Sequence, residues 1–170
     1  MSKTIRLAAP PQYESIVDGP GFRIVLWAQG CKLNCPGCHN PETHSLCGGK
    51  EYYIEDIKIA LEANCKKHQG LTLSGGDPFL QPREFIEIVK FAKTELGLDI
   101  WAYCGLTYEQ IIQDPEKLEL LKLCDVLVDG PFILEKRDVR LAFRGSSNQR
   151  LINVQKSLSK GEVVQYERKI

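Results

Sequence analysis

The stretch Phe22-Arg23-Ile24-Val25-Leu26-Trp27-Ala28-Gln29 runs without a break into Gly30-Cys31-Lys32-Leu33-Asn34-Cys35-Pro36-Gly37-Cys38-His39. Its first half is rich in branched and aromatic apolar residues, the composition of a buried strand. Its second half places three cysteines at C-x3-C-x2-C spacing within eight residues, in a loop that contains Pro36 and Gly37. Three cysteines so close together in such a loop cannot all face a core. Thiolates at Cys31, Cys35 and Cys38 can hold three irons of a cubane cluster and leave the fourth open to a substrate. Electron-transfer clusters are normally closed by four thiolates. The same triplet admits zinc, with His39 or Cys47 as the fourth ligand. Structural zinc loops prefer paired two-residue spacings, however, and no second cysteine pair follows downstream.

Outward from that stretch the chain alternates. Ile54 to His68 places Ile54, Ile57, Ala60, Leu61 and Cys65 at helical spacing. Gly70 to Ser74 is a short apolar strand that meets Gly75-Gly76-Asp77-Pro78. A second helix is expected after Pro82, with Phe85, Ile86, Val89 and Ala92 inward. Leu98 to Tyr103 reads as a third strand ending at Cys104-Gly105. Thr107, with Gln110 three residues on, matches a capping box, and Pro115 should interrupt or restart that helix. Cys124 to Val128 reads as a fourth strand ending at Asp129-Gly130, and Leu151 to Val154 as one more. Regular alternation predicts an α/β fold, a mostly parallel sheet covered by helices. In such sheets ligands sit on the loops at the carboxyl ends of the strands. The cysteine loop, Gly75-Gly76-Asp77-Pro78, Cys104-Gly105 and Asp129-Gly130 all fall on that edge. The chain is too short for eight βα units, so an open partial barrel is expected.

Length and composition are compatible with that fold. At 170 residues the chain fits one domain with a real core. Twenty-two Lys and Arg balance 22 Asp and Glu, so no global field draws it to nucleic acid or acidic lipid. Seven cysteines is an odd number, against a fully paired disulfide framework. The segment from Met1 to Pro11 has too short an apolar stretch for a signal peptide, and no apolar run approaches the length of a membrane span. The expectation is a cytoplasmic protein with reduced thiols.

The other cysteines divide by context. Cys65, on the apolar side of a helix, and Cys124, at a strand start, read as small buried hydrophobes. Cys104 sits at a strand end and is either a neighbour of the site or a buried thiol. Cys47 is a possible fourth ligand; if it bound the cluster, the open iron would be lost and the chain would be a ferredoxin-like carrier. The Gly75-Gly76 pair lets the main chain approach a ligand closely, with a backbone carbonyl or Asp77 accepting from an ammonium group. A tight turn before a helix is the equal alternative.

These residues resemble the radical S-adenosylmethionine enzymes, which carry C-x3-C-x2-C after the first strand and a Gly-Gly-acid turn after the second. Within them the chain is similar to the activases of anaerobic ribonucleoside-triphosphate reductase. The supporting stretches are Asp18-Gly19-Pro20-Gly21, Cys35-Pro36-Gly37-Cys38-His39-Asn40-Pro41-Glu42-Thr43, Leu73-Ser74-Gly75-Gly76-Asp77-Pro78 and Val126-Leu127-Val128-Asp129-Gly130. Most discriminating is Arg144-Gly145-Ser146-Ser147-Asn148-Gln149. The resemblance implies one radical S-adenosylmethionine domain over residues 1–170, with its core at about 15–155 and an irregular tail. It implies a [4Fe-4S] cluster on Cys31, Cys35 and Cys38, with S-adenosylmethionine chelating the open iron. Gly76 and Asp77 would hold the methionine amine, and Gly37, Cys38 and His39 would pass close to the cofactor. Gly37 stands where many relatives have an aromatic residue, so the adenine must be held by other surfaces. Reductive cleavage would give methionine and a 5′-deoxyadenosyl radical, which takes an α-hydrogen from a glycine of the reductase. An external one-electron donor such as flavodoxin is implied. Arg137, Arg140, Arg144 and Arg150 are either a docking surface for the reductase or a solvated charged face. Rival readings are an activase of another glycyl radical enzyme such as pyruvate formate-lyase, a small radical enzyme acting on a pterin-like molecule, and a zinc-binding module without catalysis.

Overall fold

Thirteen regular elements follow the expected alternation, with additions at both ends. In chain order they are β1 (Thr4–Leu7), β2 (Gln12–Ser15), β3 (Arg23–Ala28), β4 (Lys50–Tyr53), α1 (Ile54–Asn64), β5 (Gly70–Gly75), α2 (Pro82–Thr94), β6 (Asp99–Tyr103), α3 (Tyr108–Ile111), α4 (Pro115–Leu121), β7 (Val126–Asp129), β8 (Arg150–Asn153) and α5 (Val154–Lys160). The computed structural model describes residues 3–33, 35–38 and 41–167.

One eight-stranded sheet carries the order β4-β1-β3-β5-β6-β7-β8, with β2 also paired to β3. Its centre is parallel: Arg23 to Ala28 runs beside Gly70 to Gly75, Leu73 sits beside Ala102, and Tyr103 beside Val128. That register brings the carboxyl ends of β3, β5, β6 and β7 to one edge. The flanks are antiparallel. β1 touches β3 only at Leu7–Ala28, while β2 takes the other end of the same strand at Gln12–Val25 and Ser15–Arg23. At the far edge β8 lies antiparallel to β7. The result is an open, mixed α/β sheet with a parallel core. Among the described residues no helix is long and apolar enough to cross a membrane.

Alternation along the strands separates two faces. Ile24, Leu26, Leu71, Leu73, Ile100, Ala102 and Leu127 pack in the larger core with Phe85, Ile88, Val89 and Ala92 of α2. Ile86 is only partly buried at the margin of that core, and Ile88 takes its expected place. Trp101, Val126 and Val128 face the other way, with Tyr103, Phe143 and Leu151 against them. Deep at the amino end of β3, Arg23 is fully buried. Its guanidinium is bonded to Asp99 Oδ1 at 2.5 Å and to Thr72 Oγ1 at 2.8 Å. The capping box at Thr107 is complete, and Asp114 caps the restarted helix ahead of Pro115.

Candidate metal and cofactor site

A cavity of about 760 Å³ opens at the carboxyl ends of the parallel strands. Cys31, Cys35 and Cys38 from the loop after β3, Gly76 after β5, Cys104 after β6 and Gly130 after β7 lie in its wall. The fold therefore brings the three motif cysteines together on one surface.

Backbone hydrogen bonds hold the cysteine loop at both ends. Gly30 N donates to Thr43 O at 2.6 Å and Cys31 N to His44 O at 3.1 Å. From the other side, Gly76 N donates to Ala28 O at 2.9 Å and Asp77 N to Gly30 O at 2.7 Å. Cys38 N donates to Cys35 O at 3.2 Å, closing the Pro36–Gly37 turn.

Two glycine positions are demanded by this packing. Gly75 has φ +101°, and a Cβ on Gly76 would lie 2.4 Å from Gly30 O and 2.8 Å from Thr43 O. The Gly75-Gly76 pair thus lets the turn after β5 press backbone to backbone against the cysteine loop, besides bordering the cavity. Gly37 has φ +74°, and a Cβ there would come within 2.8 Å of Leu134 Cδ1 and 3.4 Å of Phe132 Cε1. Its missing side chain makes room for the segment after β7.

Asp77 departs from expectation. Its carboxylate is buried and absent from the cavity wall. Oδ1 accepts from Phe79 N at 3.0 Å, capping the turn after β5, and from Cys104 Sγ at 3.4 Å. Burial raises the Asp77 pKa, a rise the Phe79 N–H partly opposes. Desolvation is also the main cause that pushes the Cys104 thiol well above its usual range, with the Asp77 charge adding to it. The Asp77–Cys104 pair thus ties the turn after β5 to the residue that follows β6, while the Asp77 N–H bonds the start of the cysteine loop at Gly30 O. The Phe79 and Cys104 bonds both use Oδ1, and the cavity wall at this point is made by Ser74 and Gly75 at the end of β5 and Gly76 just after it.

The remaining cysteines fall out by burial. Cys124 is fully buried, its thiol pushed up to about 12 by desolvation, and Cys65 is partly buried against the core. Cys47 is exposed and is not part of the cavity wall. His39 lies outside the described residues. None of the seven cysteines forms a disulfide. Among the described residues no three His, Cys, Asp or Glu side chains are drawn into the tight set that a single metal ion requires. Three partly exposed thiols spread along one wall fit, by their donor chemistry, the corners of a larger iron–sulfur group.

The four arginines differ in their partners. Arg150 is an internal tie, bonded to Asp129 Oδ2 at 2.5 Å and Glu109 Oε2 at 2.7 Å. Arg140 is paired with Asp138 in solvent. Arg137 bridges to Ser146, and Arg144 lies in the cavity wall. The buried Asp129 carboxylate thus claims much of the Arg150 guanidinium.

Sequence reading also passed over the aromatic wall made by Trp27, Tyr103, Phe132 and Phe143. Period-two alternation from the buried Leu26 and Ala102 places Trp27 and Tyr103 on the opposite face. Phe132 and Phe143 had no local signal, because irregular loops bring them there. Tyr103 Oη donates to Phe143 O at 2.7 Å, and burial raises its pKa.

Fold and thiol loop define an iron–sulfur domain, and residues 17–152 match the family described as 4Fe-4S single cluster domain. The chain is 43% identical over 141 residues to the anaerobic ribonucleoside-triphosphate reductase-activating protein of Vibrio cholerae, covering 79% of this chain and 89% of that protein. The proteins of the same name from Salmonella typhi and Enterobacteria phage T4 are 38% and 40% identical. Each match covers 79% of this chain, with 90% and 86% of the relative. The chain belongs to the family of anaerobic ribonucleoside-triphosphate reductase-activating proteins. A crystal structure of QueE from Escherichia coli shares the fold at TM-score 0.50 and 14% identity, over 61% of this chain and 53% of that one.

Proposed function

We propose that this chain installs a glycyl radical on an anaerobic ribonucleoside-triphosphate reductase, using a [4Fe-4S] cluster held by Cys31, Cys35 and Cys38 and S-adenosylmethionine on its open iron. When bound, these groups supply one-electron cleavage of the sulfonium bond, release of methionine and removal of one α-hydrogen from a glycine of the reductase. The observation that carries the reading is the placement of the three thiols in one cavity wall at the carboxyl ends of four parallel strands.

The chain's own residues have distinct tasks. Hydrogen bonds from the Cys31 and Asp77 amides to His44 O and Gly30 O set the position of the thiol loop. Backbone groups at Ser74 and Gly76 would meet the methionine amine. Gly37, Cys38 and His39 would run beside the cofactor, and Gly37 admits Phe132 toward it. Trp27, Val128, Phe132 and Phe143 present apolar surface that excludes water from a reactive centre. The electron would come from an external donor such as flavodoxin, in the cytoplasm.

Electron paramagnetic resonance on the reductase, mixed anaerobically with the reduced protein and S-adenosylmethionine, tests this. A glycyl doublet is expected, and Cys35→Ala should abolish it. A wild-type mixture that cleaves S-adenosylmethionine yet yields no doublet would redirect the activity to another substrate, such as pyruvate formate-lyase. Metal analysis giving about four irons per chain separates the cluster from a single zinc.

A further inference from the structure

The turn Arg144-Gly145-Ser146-Ser147-Asn148-Gln149 is bonded to itself and to the loop after β7. Gln149 Oε1 accepts from Gly145 N at 2.9 Å and Ser146 N at 3.2 Å, while its Nε2 donates to Gly130 O at 3.1 Å. Asn148 Nδ2 donates to Pro131 O at 2.8 Å, and Ile133 N donates to Ser146 Oγ at 3.2 Å. The same loop continues into Phe132 and Leu134, which pack on Gly37 of the cysteine loop. The turn is therefore anchored to the site through a short chain of contacts.

Arg144 is held by this anchored turn with its charge uncompensated. Nη1 donates to Gln149 O at 2.8 Å, a neutral acceptor. Among the described residues Nε is buried without a hydrogen-bond partner, and the other buried side-chain atom in that condition, Asn148 Oδ1, lies in the same turn. Arg23, Arg140 and Arg150 each have a carboxylate partner; Arg144 has none among the described residues. Asp18, also in the cavity wall, accepts from Ser15 Oγ at 2.6 Å.

A buried donor on a charged group without a partner costs more than a neutral one. In a cavity wall that cost disappears when an anion enters. The guanidinium fork matches a planar carboxylate better than a point charge would. We propose that Arg144 binds the carboxylate of the S-adenosylmethionine in this cavity, an inference that rests on the cofactor reading above. The turn's hydrogen bonds act to hold the guanidinium ready, so the residue selects for the amino-acid end of the cofactor.

The test is equilibrium dialysis of the anaerobically reconstituted holoprotein with S-adenosylmethionine and with its decarboxylated analogue, which lacks only that group. Arg144→Gln should weaken S-adenosylmethionine about 10- to 100-fold, the scale of a hydrogen-bonded charge, and leave the analogue within about twofold. Arg144→Lys should fall between. Any contact the carboxylate would make to the bound cluster is common to all variants and cancels when the ratio of the two ligands is compared between them. An equal loss for both ligands, or no loss for S-adenosylmethionine, overturns the inference. If Arg144→Gln fails to retain iron or fold, the same ratio in Arg144→Lys decides. Wild-type protein that binds neither ligand overturns the cofactor reading as well, whereas wild-type binding with an unchanged ratio in the variant overturns this inference alone.

Discussion

Adding one methyl group at residue 76 should loosen the thiol loop before it unfolds the protein. In Gly76→Ala the new Cβ would sit 2.4 Å from Gly30 O and 2.8 Å from both Gly30 C and Thr43 O, all backbone atoms. Ordinary contacts begin near ~3.5 Å, so the loop must retreat by about 1 Å. That movement stretches Asp77 N to Gly30 O, now 2.7 Å, and Gly76 N to Ala28 O, now 2.9 Å, beyond useful length. Overpacking of ~1–3 kcal/mol and two weakened hydrogen bonds make about 3 kcal/mol after partial relaxation. For a chain of this size that lowers Tm by about 6–12 °C. Circular dichroism melts of the metal-free protein measure the shift, and iron content after reconstitution reports the loop. Gly97→Ala is the control: its φ is +66° but nothing lies within 4 Å of the added Cβ. It should cost only the left-handed backbone penalty of about 1–2 kcal/mol and keep full iron. Wild-type Tm and wild-type iron in Gly76→Ala would refute the packing argument, as would equal iron loss in the Gly97 control.

Three further outcomes follow from the same geometry. Burial raises the folded pKa of Asp77, so its stabilising contribution is complete below the unfolded value of about 3.9 and is lost as pH rises through the folded value; Asp77→Asn keeps an acceptor for Phe79 N, and urea melts should show its advantage over wild type growing from pH 4 to 7, a pH-independent difference contradicting the assignment. Arg150→Met leaves the buried Asp129 carboxylate with only the Tyr108 N–H at 2.8 Å among the described residues and should cost about 2 kcal/mol in denaturant melts, below the ~3–5 of a fully buried pair because Arg150 is partly in water; a loss under about 0.5 kcal/mol would make the tie a surface pair. Iodoacetamide on the metal-free protein at pH 8 should modify Cys47 and the three loop cysteines while sparing Cys104 and Cys124, whose burial suppresses the thiolate; peptide mass spectrometry that finds Cys124 labelled as fast as Cys47 would contradict this.

Local signals were enough for the parallel core. Apolar runs bounded by Gly, Pro and Asp marked β3, β5, β6 and β7, and helical spacing marked α1 and α2, because each pattern is written within a dozen neighbouring residues. β1, β2 and β4 were not legible. Each has four residues of mixed polarity and is a strand only because a neighbouring strand offers its edge. α5 was missed similarly: it has seven residues and is fixed by docking of Val154 and Ser157 and by Gly161 at its end.

The thiol triplet and the glycine pair could be read from the chain by themselves, since spacing in a single loop decides which cysteines act together. Their neighbours could not. Asp77 became a buried cap rather than a wall group because a cysteine 27 positions away, Cys104, completes its shell. Arg144 and Arg150, six positions apart, took opposite fates: Arg150 met the buried Asp129, whereas Arg144 met the Gln149 carbonyl and the cavity. Sequence determines which groups are available and how they repeat. Which of them end up paired, and which are left facing the cavity, depends on contacts between distant segments, and those exist only once the sheet has closed its register.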